Sequence, residues 1–419
     1  MTFSKIGRIV TALVATAALG LGMTACGGGT IGYMWVLGTF HNEISGYKID
    51  NYTGNLTVIN HSPFASGGSN PQSIVVKPGG RYVYVINSGA GGTGVPGSTG
   101  YSAPAGSSIA QFAVGGDGVL TFQQNFFSQG TNPIWASLDT SGNYLYVLDK
   151  YSPYYSSATG DFNGSITVFS IASDTGRLTL VPNTSILRNN LPTSVFEVGP
   201  NPIMTKVGLG GCLFTLSPNS IYPYSIGSNG QLTVTSTGPY AVTGSSRLTS
   251  INTGLGTSAS NFIYLTDAGA NQIFSLQAGG STCSLSPISG SQQTNLSGTA
   301  NPVNSITSSS GKFLYVLNQT STTNNQTNAN STISAFTINS LGQLQTLPDS
   351  TNNPYAVGSG PVCIAQDPTN QYLYISNNTD STVTGKLLDQ NRGYLSNLTR
   401  GSVFPTTQNP TCLAVSGNI

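Results

Sequence analysis

Apolar residues recur along this chain in short runs that alternate aromatic and aliphatic side chains, broken by clusters of Gly, Pro, Asn and Ser. After residue 26 no long stretch carries the 3.6-residue period of an amphipathic helix, so the pattern predicts strands and turns throughout. The stretch Asn70 to Asn87, NPQSIVVKPGGRYVYVIN, shows the unit clearly. It reads as a strand opened by Asn-Pro, a Pro-Gly-Gly turn, and a second strand alternating Tyr with Val or Ile.

Two marks count the repeat independently. The aromatic-aliphatic strand appears at 33–37, 82–86, 144–148, 212–216, 262–266, 313–317 and 372–376, seven times. The opening of the strand ahead of it appears at Asn70-Pro71, Asn132-Pro133, Asn201-Pro202, Ser246-Arg247, Asn301-Pro302, Gly360-Pro361 and Asn409-Pro410, again seven times. A third strand, such as 166–171 or 333–338, and a Gly-x-Leu fourth strand, such as Gly54-Asn55-Leu56 or Gly342-Gln343-Leu344, complete the unit. Four strands at a spacing of roughly 50–65 residues make a propeller blade. The chain stops after an opening strand at 409–415 and starts with a second strand that lacks one. Pairing the two removes both exposed edges. The expected fold is all-β: a seven-bladed β-propeller with four antiparallel strands per blade, closed by its N- and C-terminal strands.

The N-terminus carries a different signal. Lys5 and Arg8 precede an apolar run, Ile9 to Leu21, that is shorter than the roughly 20 residues a membrane span needs but suits secretion. Met23-Thr24-Ala25-Cys26 then resembles a bacterial lipobox, with Met in place of the more usual Leu. The resemblance implies that 1–25 is a lipoprotein signal peptide, that Cys26 is lipidated, and that 26–32 is a Gly-rich tether before the propeller at 33–419. More than one acyl chain anchors stably. The expected location is the bacterial cell envelope, at the outer membrane or the cell surface.

Composition narrows the partners. Charged residues are only 6% of the chain, far below the roughly 25% usual in soluble domains. Formal net charge is +1, and loss of Lys5 and Arg8 leaves about −1. No basic patch is present to neutralise phosphates, which excludes nucleic acid as the expected partner. No His, Cys or carboxylate cluster has metal-ligand spacing, so neither metal nor cofactor is expected.

The first blades also resemble a known family. Gly38-Thr39-Phe40, Ser45 to Asp50, Thr53 to Leu56, Asn70-Pro71 and Pro78 to Tyr84 are similar to the opening of the seven-bladed lactonase propellers. That family comprises 6-phosphogluconolactonase-like and muconate-cycloisomerase-like proteins and is related to the YVTN-repeat propellers. The resemblance implies hydrolysis of a sugar or other lactone by histidines, Arg and Glu near the channel. This chain departs from it: His41 and His61 are its two histidines, both in the first blade. Lactone hydrolysis needs a base or metal for the water and cations for the oxyanion. The expected function is therefore a non-catalytic binding platform, with a lactonase or a structural envelope protein as alternatives.

Candidate site residues gather where second strands end. Asn87, Asp149, Asp267, Asn318 and Asn377 are placed on one rim, beside long insertions at 88–107, 150–164 and 319–331. The middle insertion carries Lys150, Tyr151, Tyr154 and Tyr155, suited to a glycan or an envelope protein at this top face. Arg247, replacing an Asn-Pro pair, is the candidate catalytic cation, with Asp149 and Asp267 as charged neighbours. The tether is expected at the opposite, bottom face, and the protein is expected to be a monomer. Four cysteines remain after Cys26, which leaves two disulfides or buried thiols open. Cys363 and Cys412 occupy matching positions in neighbouring blades, and Cys212 and Cys283 fall in adjacent blades.

Overall fold

A computed structural model of the chain describes residues 29–417 apart from 157, 184–186, 189–190, 236, 255–259, 291–292, 297–299, 320–330 and 349–351. Cys26 and the signal segment lie outside the described residues. The alternating runs form the second strands of seven antiparallel sheets, and the residues between them turn in Gly, Asn and Pro as the sequence requires. In the second blade the strands are Pro71–Val76, Tyr82–Asn87, Ser108–Val114 and Leu120–Phe126, ordered from the axis outward. The inner strands touch one another in sequence around the axis, the last against the first. The chain is a seven-bladed β-propeller.

The first blade joins the two ends of the described chain. Thr30–Gly38 pairs on one side with Glu43–Asp50 and on the other with Pro410–Gly417, with Met34 opposite Val415 and Trp35 opposite Ala414. Gly32 faces Gly417 at the start of that second strand, whereas the long insertions leave the far ends of their strands, after Asn87 and Tyr151. The first described strand thus begins on the face opposite the insertions that follow Asn87 and Tyr151.

The outer edge of each blade differs from the simple four-strand reading. Six blades have a fourth strand of only three or four residues, followed by a second short segment that returns to the third strand, such as Phe64–Ala65 or Tyr355–Ala356. In the second blade one longer strand, Leu120–Phe126, covers the whole edge. Breaking the edge shortens the row of unpaired backbone groups that another chain could extend.

Blades are joined by a repeated side-chain contact. The middle aromatic of a second strand donates to the carbonyl of the Gly-x-Leu glycine in the next blade: Tyr84 to Gly176, Tyr146 to Gly230, Tyr264 to Gly342, Tyr315 to Gly393 and Tyr374 to Gly54, at 2.5–3.4 Å. Trp35 does the same through Nε1 to Gly118, at 3.1 Å. The aromatic two residues earlier lies flat on that glycine. A Cβ on Gly342 would meet Phe262 at 2.5 Å, and one on Gly54 would meet Tyr372 at 2.4 Å. The glycine φ values of +78° and +68° add a second reason for the residue. Burial raises the pKa of these tyrosines, so they stay protonated donors.

One junction lacks this latch. In the fourth blade Cys212 and Phe214 take the two aromatic positions, and Cys283, at φ +51°, takes the glycine position of the fifth. There Cys212 and Cys283 form a disulfide with Cα atoms 5.6 Å apart. The second disulfide, Cys363–Cys412, ties the inner strands of the seventh and first blades at 5.1 Å. Both bridges therefore cross blade boundaries.

If Cys212–Cys283 replaces a latch, the Cys212→Ala/Cys283→Ala variant loses about 2–4 kcal/mol of stability. Cys212→Tyr, Phe214→Tyr and Cys283→Gly together rebuild the latch and recover about 1–2 kcal/mol of it. Denaturant unfolding of the three proteins measures both values.

Candidate functional site

The inner strands enclose a central cavity of about 340 Å³ lined by residues from all seven blades. The position paired with the latch aromatic supplies one side chain per blade: Val75, Ser137, Lys206, Asn252, Ile306, Ala365 and Ala414. Six of these fall four residues after the proline that opens the strand. Asn252 falls four after Leu248. Neighbouring inner strands are stitched by Ser137 Oγ donating to the Thr205 carbonyl at 2.7 Å and Asn252 Nδ2 to Thr307 Oγ1 at 2.6 Å. Asn304 Nδ2 donates to the Val362 carbonyl at 3.0 Å.

Lys206 is the one charged side chain among the described residues lining the cavity. Lys206 is exposed to the lumen, and desolvation by the surrounding strands lowers its pKa. The sequence reading marks this strand only by its opening at Asn201-Pro202 and passes over Lys206. The signal was there, four residues past Pro202.

The predicted rim residues are placed otherwise than a binding face requires. Asn87, Asn318 and Asn377 are buried and bind hydroxyls of their own third strands. Asn87 Nδ2 donates to Ser108 Oγ at 3.1 Å, Asn318 Nδ2 to Ser334 Oγ at 2.9 Å, and Asn377 Nδ2 to Thr384 Oγ1 at 2.9 Å. Asp267 is also buried and accepts four backbone N–H groups, those of Ser246, Arg247, Gly269 and Ala270, at 2.6–3.0 Å. These side chains hold strand ends, work for which short polar residues are suited.

Arg247 is exposed at the rim, and its guanidinium donates to Asn301 Oδ1 in the next blade at 3.0 Å. It contacts Asp267 through its backbone N–H, not its side chain. The carbonyl of Arg247 accepts from Ala268 as that of Asn70 accepts from Ser88. Arg247 thus stands at the Asn position, and Leu248 at the Pro position. Asp149 lies two blades away, so the structure does not assemble these three charges into one group.

The middle insertion does form a cluster. Tyr151 and Tyr155 meet edge to face at 4.8 Å, Tyr155 and Phe162 at 5.8 Å, and Lys150 Nζ lies 5.3 Å from the Tyr151 ring centre. Tyr154 is half-buried, and its backbone N–H donates to Ser152 Oγ at 3.1 Å. His41 and His61 are exposed in the first blade, away from the cavity lining. Among the described residues no group of three His, Cys, Asp or Glu has metal-binding geometry.

Asp149 is the most perturbed acid. It is fully buried, and desolvation pushes its pKa up to about 7 even though Ser128 Oγ, Thr167 Oγ1 and the Gly130 N–H donate to it. A pKa raised on folding means that the folded state holds a proton that the unfolded state has released between about pH 4 and 7. This stabilisation is complete below the unfolded value and is lost as pH rises through about 7. Stability should therefore fall by on the order of 1–3 kcal/mol from pH 4 to pH 8. Asp149→Asn should flatten that slope in denaturant titrations.

Comparison with known proteins agrees with this geometry. The family described as "Lactonase, 7-bladed beta-propeller" matches residues 30–183 and 258–415. No curated protein sequence matches the chain. Among solved structures, the periplasmic gluconolactonase of Pseudomonas aeruginosa superposes with TM-score 0.67 at 16% identity, over 93% of this chain and 100% of its own. A putative 6-phosphogluconolactonase of Bacteroides fragilis gives 0.65 at 17%, over 92% and 98%. At such identities the likeness establishes the fold. The family match spans about three quarters of the chain, and on that ground the chain belongs to the seven-bladed β-propeller lactonase family.

Proposed function

We propose that this propeller is an extracytoplasmic binding platform, anchored to a bacterial envelope through lipidated Cys26, with no hydrolytic role. The observation that carries the reading is the lining of the cavity. Its described residues offer one cation, several hydroxyls and amides, and no carboxylate or imidazole. Such a lining can bind a ligand, and among its described residues it offers neither a carboxylate nor an imidazole to activate water. The only strongly raised carboxyl among the described residues, Asp149, is buried and committed to Ser128 and Thr167. The orientation fits anchoring, because the strand that follows the tether starts on the face away from the insertions. The aromatic cluster at Tyr151, Tyr155 and Phe162 then faces outward, where a glycan or an envelope protein would meet it.

A lactonase remains the second reading. It is favoured by the family itself and by the gluconolactonase named among the similar structures. In that case Arg247, exposed at the rim, is the cation to test.

Two experiments decide. Purified protein should not hydrolyse gluconolactone, its 6-phosphate or simple acyl lactones above the uncatalysed rate. Turnover that Arg247→Ala abolishes would establish the enzyme instead. Separately, Cys26→Ser should move the protein from the membrane fraction to the soluble one, and a variant that stays with membranes would refute the anchor.

A further inference from the structure

We infer that Lys206 anchors a mid-channel site for a small organic monoanion, a carboxylate whose short body fills the less polar part of the cavity. The inference rests on reading the channel as a binding site. Lys206 is exposed within the lining of a cavity ringed by seven strands, and no other described residue of that lining carries a charge. Lys206 has neither a hydrogen bond nor an ion pair among the described residues, and no carboxylate shares the lining. A bound anion supplies the missing charge.

The other polar side chains at the level of Lys206 are engaged, Ser137 with Thr205 and Asn252 with Thr307. The cavity thus leaves one cation free for a ligand, with apolar surface from Val75, Ile306 and Ala414 around it.

The charge count sets the ligand class. One cation balances one negative charge, which a carboxylate carries at neutral pH. A phosphate dianion would bring an unpaired charge into the enclosure. A cavity of about 340 Å³ lies at the lower end of ligand sites, which run from about 300 to 1,000 Å³. Lys206 itself falls in 184–257, between the two stretches that the family matches, whereas the apolar residues around it lie within them.

The test is calorimetric titration of the full-length protein with sodium lactate, with sodium phosphate and glycerol as comparison probes. Saturable lactate binding, at least tenfold weaker in Lys206→Met and absent with glycerol, supports the site. Lys206→Gln serves the same comparison if the Met variant does not fold. No saturable binding of lactate, propionate or gluconate to the wild type overturns the proposal. So does binding that the variants leave unchanged, or phosphate binding tighter than lactate. Lactone turnover in parallel samples separates the two readings. Hydrolysis would refute the non-catalytic role, while the lactate titration would still report on Lys206.

Discussion

The propeller depends on one contact, an aromatic side chain of one blade closed over a left-handed glycine of the next. Among the described residues blades share no sheet hydrogen bonds with each other, so side chains must fix their spacing and angle. The ring covers the glycine where a Cβ would clash, and the hydroxyl or indole N–H takes the turn carbonyl that would otherwise be buried unpaired. Apolar contact and polar satisfaction come from adjacent residues of one strand. This economy lets a chain with 6% charged residues keep an ordered ring, with Ser, Thr and Asn forming the polar surface.

Much of this was legible in the sequence. The alternation of Tyr, Val and Leu gave the second strands directly, and counting them gave the blades. The latch was present in the same motifs, as Tyr-x-Tyr in one unit and Gly-x-Leu in the next. What joined the two was tertiary. Blade adjacency placed the cysteines near one another but left bridges and buried thiols open, and the structure joins Cys212 with Cys283 and Cys363 with Cys412. The broken outer edge was not legible, because segments of two or three residues carry no period. The strand-end Asn and Asp residues were read as rim groups because their position was visible and their Ser and Thr partners were not.

Lys206 illustrates a different limit. A channel side chain becomes conspicuous only when seven strands are set in register and the charges at one level are compared. Six of the seven registers were available from the proline that opens each strand, and the degenerate opening at Arg247 hid the last. The fourth blade, where the lysine sits, also gives up the latch in favour of a disulfide. The family match lapses over this blade. Structural and chemical departure thus coincide in one sector of the ring.

The joining of Thr30–Gly38 to Pro410–Gly417 has a consequence in time. A chain made or translocated from its N-terminus presents its earliest strand long before the partner of that strand exists. Through the synthesis of six intervening blades, Tyr33-Met34-Trp35-Val36-Leu37 holds an open, strongly apolar edge. Long-range pairing of this kind is slow, and such edges invite association with other chains. The nascent protein is therefore most vulnerable just before completion, and a holding chaperone would find its target in the first strand rather than the last.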